Sequence, residues 1–199
     1  MISFIMSEDK TKKMSTSLPA NSGFSIARIV TFVLLAVVGC TADLWTKAWA
    51  FAKLGMPGTS ETMWVWTDVF GFKTNLNFGA LFGIGQGKVD FFVIASIVAG
   101  IGVPLWFILG RPRRDWTLTV ALGLIMGGIG GNLYDRLGLA GEAMQRGVRD
   151  WIHVMLGDYA WPTFNIADSL LVSGAILLVF HALFLDRPEQ TQVEAKPKE

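Results

Sequence analysis

The chain has 199 residues, of which 52% are hydrophobic and 17% are charged, whereas a soluble domain carries about 25% charged residues. The mean hydropathy is +0.46, and the low charge content together with long uncharged runs indicates a membrane protein. The net charge of +1 gives no reason to expect a nucleic-acid partner. One cysteine excludes an intrachain disulfide, and one cysteine with two histidines does not make an ordinary His/Cys metal site, so no metal or cofactor is predicted.

Four apolar stretches are each close to the ~20 residues that cross ~30 Å of hydrocarbon. The predicted spans are 25–45, 89–109, 116–134 and 164–185. The flanking segments 1–24 and 186–199 are polar and are expected to be disordered tails. The predicted fold is therefore an all-α integral membrane protein, with four transmembrane helices in a single domain that covers residues 25–185.

Lys and Arg residues concentrate in the N-terminal tail, in the RPRRD loop between spans two and three, and in the C-terminal tail. A chain with four spans places these three regions on one side of the membrane. Short cytoplasmic loops carry an excess of Lys and Arg, so this side is predicted to be cytoplasmic, with both termini inside. The loops 46–88 and 135–163 then face outward. Six of the eight tryptophans lie in or beside them, which is typical of segments at the membrane–water interface.

The first outward loop contains two strand-like segments, WVWTDVF and FKTNLN, with a glycine between them. They predict a small β-sheet on the outer, extracytoplasmic leaflet. In the third span, Gly123, Gly127 and Gly131 recur at every fourth residue, and such rows let helix backbones approach closely. The third span is therefore expected to be central in the bundle.

Polar residues gather at the predicted outer ends of the spans, where such residues usually face a bundle interior or a cavity. They are Asp43 and Lys47 in span one, Asn132, Asp135 and Arg136 in span three, and Asn165 and Asp168 in span four. Spacings of three or four residues put each set on one helix face. Structural roles stay open for most of them. The first set could be a local ion pair, the two charged residues of span three could anchor the helix at the interface, and the two asparagines could join helices.

Asp168 differs from the others because it lies about four residues, or roughly 6 Å, into the last span, with no basic residue within a helical turn. Two carboxyl groups in different surroundings can divide acid–base work: one stays protonated while the other activates a water. Asp150, in the loop just before span four, is the predicted partner. No complete phosphate-binding loop, HExxH or GxSxG motif occurs in the sequence.

Five segments together resemble lipoprotein signal peptidase (signal peptidase II), an aspartic protease of the bacterial inner membrane. They are, in chain order, ADLWTK (42–47), NFGALFG (77–83), GGIGGNLYDR (127–136), GVRDW (147–151) and FNIADS (164–169). Any one of them is weak evidence, but the set in this order and at these positions relative to the spans is specific. The resemblance covers about residues 25–185.

The resemblance implies an endopeptidase that removes the signal peptide from a prolipoprotein whose +1 cysteine carries diacylglycerol, cutting just before that cysteine near the outer membrane surface. It implies Asp150 and Asp168 as the catalytic pair, without a cofactor, in a monomer whose partners are the lipidated prolipoprotein and membrane lipid. The supporting residues that it implies are Asp43, Lys47, Asn77, Gly128, Asn132, Arg136, Asn165 and Ala167. Asn132 and Arg136 would position the substrate or the two acids, and Asn77 would belong to an outer loop that cradles the substrate.

The stretch from Asp135 to Asp150 departs from the family pattern, because it is several residues longer than the family usually has. The extra residues, around Leu139–Gln145, are expected to extend an outer loop without moving Asp150.

Two other classes of protein compete with this interpretation. VVGC (37–40) follows a basic segment and an apolar run and resembles a lipobox, so the chain could itself be a lipoprotein modified at Cys40. The three later spans have no place in that hypothesis. A small transporter or channel could use Asp43, Lys47 and Asp168 as an ion path, but the charges gather at one membrane face instead of crossing the bilayer.

Overall fold

The protein is represented by a computed structural model that describes residues 25–79, 85–110 and 115–185. The predicted tails, the arginines of the RPRRD loop and residues 80–83 of the NFGALFG segment lie outside the described residues, as does residue 84.

Four long helices form the bundle: α1 (Ile26–Leu54), α2 (Val89–Leu109), α3 (Trp116–Arg136) and α4 (Ile166–Phe180). The last of these continues as a π-helical turn, His181–Leu185. Within the described residues, these four helices are long and apolar enough to cross a bilayer, which confirms the predicted fold class. The helix α1 runs to Leu54 instead of ending at residue 45, because Ala50 and Phe51 in its last turns are buried against the sheet described below.

The helix α3 lies between α1 and α4, and its glycines explain how closely the three helices approach. A Cβ atom on Gly127 would lie 3.2 Å from the carbonyl oxygen of Ala36 in α1. A Cβ atom on Gly128 would lie 2.6 Å from the carbonyl oxygen of Ala167 in α4. Backbone therefore meets backbone on both faces of α3. The helix α2 is more peripheral: Phe107, stacked on Phe32 of α1 at 4.4 Å between ring centroids, is its one buried residue among those described.

Four antiparallel strands form one sheet in the order β1 (Met63–Trp66), β2 (Phe70–Asn77), β3 (Val148–Leu156) and β4 (Tyr159–Phe164). The predicted strand pair corresponds to β1 and β2, but the turn between them lies at residues 67–69, and Gly71, expected between the strands, lies within β2. The sequence does not predict the second pair, and Asp150, expected in a loop, lies in β3 opposite Asn75. The first six residues of β3 are all buried. A strand buried on both faces lacks the alternation of apolar and polar residues that reveals a strand in a sequence.

The sheet covers one end of the bundle, which we call the sheet end. There Ala50 and Phe51 of α1 pack with Trp151 and Ile152 of β3 in a shared apolar cluster. Since α3 ends and α4 begins at the same level, the sheet end is where all the candidate site residues meet.

Residues 137–147, which include the residues that lengthen this stretch, form turns and a short 3₁₀ helix, Glu142–Met144. Arg146 secures this segment: its Nη2 lies 2.8 Å from Asp90 Oδ1 of α2, and its Nε donates to the carbonyl oxygen of Arg136 at 2.9 Å. Both ends of that ion pair are largely exposed. The extra residues thus make an ordered surface turn, while β3 determines where Asp150 lies.

Candidate active site

The start of α4 is built as a capping box. Asn165 is the N-cap residue; its Oδ1 accepts a hydrogen bond from the backbone N–H of Asp168 at 2.9 Å, and its own N–H donates to Asp168 Oδ2 at 3.3 Å. This reciprocal pattern satisfies two of the helix's free N–H groups. Because the helix begins at Ile166 and not at residue 164, Asp168 is in its first turn. Its carboxyl group therefore turns back toward the sheet end.

Asn165 also joins the two predicted catalytic acids. Its Nδ2 donates to Asp150 Oδ1 at 2.6 Å, while the capping box described above holds Asp168. The other oxygen of Asp168, Oδ1, accepts from Asn132 Nδ2 at 2.9 Å. Asp168 therefore has hydrogen-bond partners, although no basic residue lies within a helical turn of it. Its partners come from α3 and from the residue before α4, and neither the sequence spacing nor the search for a nearby base could indicate them.

Asp150 is fully buried. Burial raises the pKa of its carboxyl group well above the usual range, and the neighbouring charge of Asp168 raises it further. The amides of Asn165 and Asn77 and the charge of Lys47 act in the opposite direction but are the smaller contributions. Within the described part of the chain, the oxygen Oδ2 of Asp150 is buried without a hydrogen-bond partner of standard geometry.

Next to the two acids lies a group of four buried charges, two negative and two positive, which we call the ionic cluster: Asp43, Lys47, Asp135 and Arg149. Lys47 Nζ lies 2.6 Å from Asp43 Oδ2 and 3.1 Å from Asp135 Oδ2, and all three side chains are fully buried. Arg149 Nη2 lies 2.8 Å from Asp135 Oδ1. Asp135 is therefore no interfacial anchor, and the predicted local pair of Asp43 and Lys47 is one contact of a larger cluster. Equal numbers of opposite charges make such burial tolerable.

The ionic cluster is connected to both acids. Lys47 Nζ donates to Asn132 Oδ1 at 2.9 Å, and Asn132 in turn donates to Asp168. Asp43 Oδ1 accepts from the backbone N–H of Ala167 at 2.8 Å, one of the otherwise free N–H groups of the first turn of α4. The cluster thus holds α1, α3 and α4 in one arrangement around the acids.

Arg136 and Asn77 lie at the edge of this group. Arg136 Nη2 donates to the carbonyl oxygen of Gly79 at 2.9 Å, and its guanidinium group lies over the ring of Phe92 at 5.4 Å. These internal contacts do not favour the alternative in which Arg136 anchors the helix at the interface. Asn77, at the end of β2, accepts through Oδ1 from the N–H of Gly79 at 2.9 Å and from Gln86 at 3.2 Å. Both side chains contact Gly79, which lies just after the end of β2.

A cleft of about 220 Å³ opens beside Asp168. It is lined by Asn77, Trp161, Pro162, Thr163, Phe164, Asp168, Ser169 and Val172. Its walls are mostly apolar, with the carboxyl group of Asp168 as the charged group among the described lining residues. The prediction missed the β4 residues in this wall, and it also missed Arg149. The adjacent charged residues Arg149 and Asp150, inside an otherwise largely apolar segment, could have indicated that Arg149 belongs to the site.

Solved structures of two bacterial membrane enzymes are similar to the chain. One aligns with a TM-score of 0.68 and 29% identity, covering 86% of this chain and 96% of the other. The second aligns with a TM-score of 0.66 and 30% identity, covering 79% of this chain and 96% of its own length. The bundle of apolar helices with its small sheet thus shares its fold with two bacterial membrane enzymes.

Residues 35–184 match the family model described as signal peptidase (SPase) II. A lipoprotein signal peptidase from Rhodopirellula baltica is 42% identical over 85% of this chain and 76% of the relative. A lipoprotein signal peptidase from Geobacillus thermodenitrificans is 34% identical over 82% of this chain and 96% of the relative. The chain belongs to the signal peptidase II family, whose members are aspartic endopeptidases that remove signal peptides from lipoproteins, and it is a multi-pass membrane protein. Membership of this family supports neither of the two alternative hypotheses, a lipoprotein modified at Cys40 or an ion transporter.

Proposed function

We propose that this protein removes the signal peptide from diacylglyceryl-modified prolipoproteins by cutting just before the lipidated cysteine, with Asp150 and Asp168 as the catalytic pair. The observation that carries the proposal is the position of Asn165, which hydrogen-bonds both carboxyl groups at the edge of an apolar cleft. Two carboxyl groups held this way can share one proton, and hydrolysis of an amide needs one acid and one base.

The surroundings of the two acids divide these roles. Two N–H donors, from Asn132 and from the backbone of Asn165, point at the oxygens of Asp168 and stabilise negative charge there. Asp150 is the more completely buried acid, and its burial together with the charge of Asp168 raises its pKa well above the usual range, which favours its protonated form. Asp168 is therefore the base and Asp150 the acid, although the two titrate as one coupled pair.

The reaction then follows in two proton transfers. Asp168 takes a proton from water while the water oxygen bonds to the scissile carbonyl carbon. Asp150 gives its proton to the amide nitrogen as the C–N bond breaks, so a carboxylic acid and an amine leave. A proton passed from Asp168 to Asp150 restores the starting state. One chain supplies both acids, so we propose that a monomer is sufficient.

The apolar cleft and the position of the acids fit a lipid-anchored substrate. Trp161, Phe164 and Val172 offer apolar surface next to Asp168, where acyl chains or the end of a signal helix could lie. We further propose that the sheet end faces the extracytoplasmic side of the bacterial inner membrane, with both termini in the cytoplasm. The distribution of Lys and Arg along the sequence supports this orientation, and Trp45 and Trp66, both more than two-thirds exposed, are suited to the interface at that side.

Cleavage of a purified lipidated prolipoprotein by the full-length protein in detergent micelles tests the catalytic pair. Asp150→Asn and Asp168→Asn keep the size of each side chain but remove its acid–base function, so each should lower the rate by about 10³-fold or more. Asp158→Asn, in the exposed turn between β3 and β4, is the matched control and should cleave at the normal rate. Normal cleavage by either variant of the pair would disprove the assignment. An unlipidated precursor should be cut poorly, and equal cutting would indicate a general signal peptidase instead.

A further inference from the structure

Arg149 is a buried cation that the proposed chemistry does not use. It immediately precedes Asp150 in β3, and only 6% of its surface is exposed. Its side chain reaches Asp135 through two contacts, Nη2–Oδ1 at 2.8 Å and Nε–Oδ1 at 2.9 Å. The backbone N–H of the same residue donates to the other oxygen, Oδ2, at 3.1 Å. One residue of the strand thus holds one carboxylate by its side chain and by its backbone together.

That carboxylate belongs to the last turn of α3 and leads to the second acid. Asp135 also contacts Lys47, Lys47 donates to Asn132, and Asn132 donates to Asp168. A continuous set of charged and amide groups therefore runs from the residue beside Asp150 to the carboxyl group of Asp168. These groups lie on β3, α3, α1 and α4, so a change at the strand would affect the helix that carries the other acid.

We propose that Arg149 is a positioning residue: acting through Asp135, it fixes the start of β3 against the end of α3 and so sets where Asp150 lies relative to Asp168. The inference rests on the proposed function, because it takes these two acids as the reacting groups. Arginine suits the role, since its planar guanidinium group presents several N–H donors in a fixed fork, whereas lysine offers a single charged nitrogen.

Arg149 also balances charge near Asp150. The groups that face Asp150 from the surrounding elements are Lys47 from α1, Arg136 from α3, Asn165 and Asp168 from the start of α4, and Asn77 from β2. Loss of Arg149 would leave the ionic cluster with one excess negative charge, which makes ionisation near it harder. Loss of the charge on Asp135 would leave one excess positive charge, with the opposite effect.

The experiment compares Arg149→Met, Arg149→Lys and Asp135→Asn in the full-length protein, with lipidated prolipoprotein as substrate. A catalytic acid displaced by a fraction of an ångström should lower kcat by about 10- to 100-fold in Arg149→Met and leave KM within about twofold. Arg149→Lys should recover part of that loss. The acidic limb of the pH profile of kcat/KM should move to higher pH by about half a unit in Arg149→Met and to lower pH in Asp135→Asn. Arg146→Met, which removes an exposed arginine three residues earlier, is the control and should leave kcat and the profile unchanged.

A purely structural arginine would give another result. The midpoint of thermal unfolding would fall, but the folded fraction would keep its kcat and its pH limb, and that outcome would overturn the inference. If Arg149→Met does not fold, Arg149→Lys decides the matter, because a normal kcat in that variant would show that the fork geometry is not needed. The parallel Asp→Asn assays separate the two proposals. Active Asp150→Asn would refute the proposed function itself, whereas inactive Asp150→Asn with fully active Arg149→Met would refute this inference alone.

Discussion

The close packing of α3 against α1 gives the sharpest test of how the bundle supports the site. Gly131 of α3 faces Asp43 of α1, and a Cβ atom at that position would lie 2.9 Å from the carboxyl carbon of Asp43 and 3.1 Å from its Cβ. The side chain of Asp43 cannot rotate away freely, since it is held by Lys47 at 2.6 Å and by the N–H of Ala167 at 2.8 Å. We therefore expect Gly131→Ala to separate the helices or to break these contacts.

The size of the effect follows from the distances. Carbon atoms pack at about 3.5–4.0 Å, so the helices must move apart by roughly 0.6 Å or more at this point. Overpacking of this kind costs about 1–3 kcal/mol, and alanine returns about 0.5–1 kcal/mol through its better helix propensity. The net loss in the free energy of unfolding should be about 0–2.5 kcal/mol. A displacement of that size around Asp43 should lower the cleavage rate by about tenfold or more.

Thermal unfolding in detergent and cleavage of a lipidated prolipoprotein measure the two effects. The matched control is Gly102→Ala in α2, where a Cβ atom would meet nothing within 4 Å; this variant should be as active as the wild type and no less stable. The reasoning would be refuted if Gly131→Ala behaved like the control in both assays.

Two further predictions concern charge. Lys47→Met leaves two buried acids without their shared cation, so we expect the unfolding free energy to fall by about 3–5 kcal/mol and cleavage to be lost. Lys53 is exposed on the same helix, and Lys53→Met should change neither quantity. Equal stability of the two variants would contradict the prediction. The raised pKa of Asp150 means that the folded protein retains a proton which the unfolded chain releases above about pH 4, so its contribution to the unfolding free energy becomes less favourable as pH rises. Asp150→Asn should therefore match the wild type in thermal stability near pH 4 and exceed it toward neutral pH, and a gain that does not change with pH would be evidence against this cause.

The sequence was sufficient for the four helices because uncharged runs of about 20 apolar residues are rare outside helices that cross a bilayer. Helix ends were harder to predict. The last turns of α1 contain Lys47 and Lys53 and lower the local hydropathy, although Ala50 and Phe51 bury one face of the same turns. The first turn of α4 was misplaced by two residues, because the capping function of Asn165 depends on its backbone conformation and on Asp168 together.

The second half of the sheet could not be predicted for a different reason. The β3 residues Arg149, Asp150 and His153 are charged or polar yet buried, so this segment has neither the alternation of a surface strand nor the composition of an apolar one. The contact between Arg149 and Asp135 depends on the placement of β3, so it stayed hidden too. The sequence indicates the two acids through the depth of Asp168 in the last span and through the family segments, whereas their partners depend on how strand and helix ends come together.

The capping box at Asn165 has a consequence for how the site forms during folding. The side chain that starts α4 is also the side chain that joins the two acids, so the helix cannot begin at another residue without separating them. Helix ends usually fray, and a one-residue slip at most helix termini would be harmless. Here the same slip would dismantle the acid pair. Under the proposed mechanism, one equilibrium therefore determines both the order of this helical turn and the activity, and amide hydrogen exchange at Asp168 should report both.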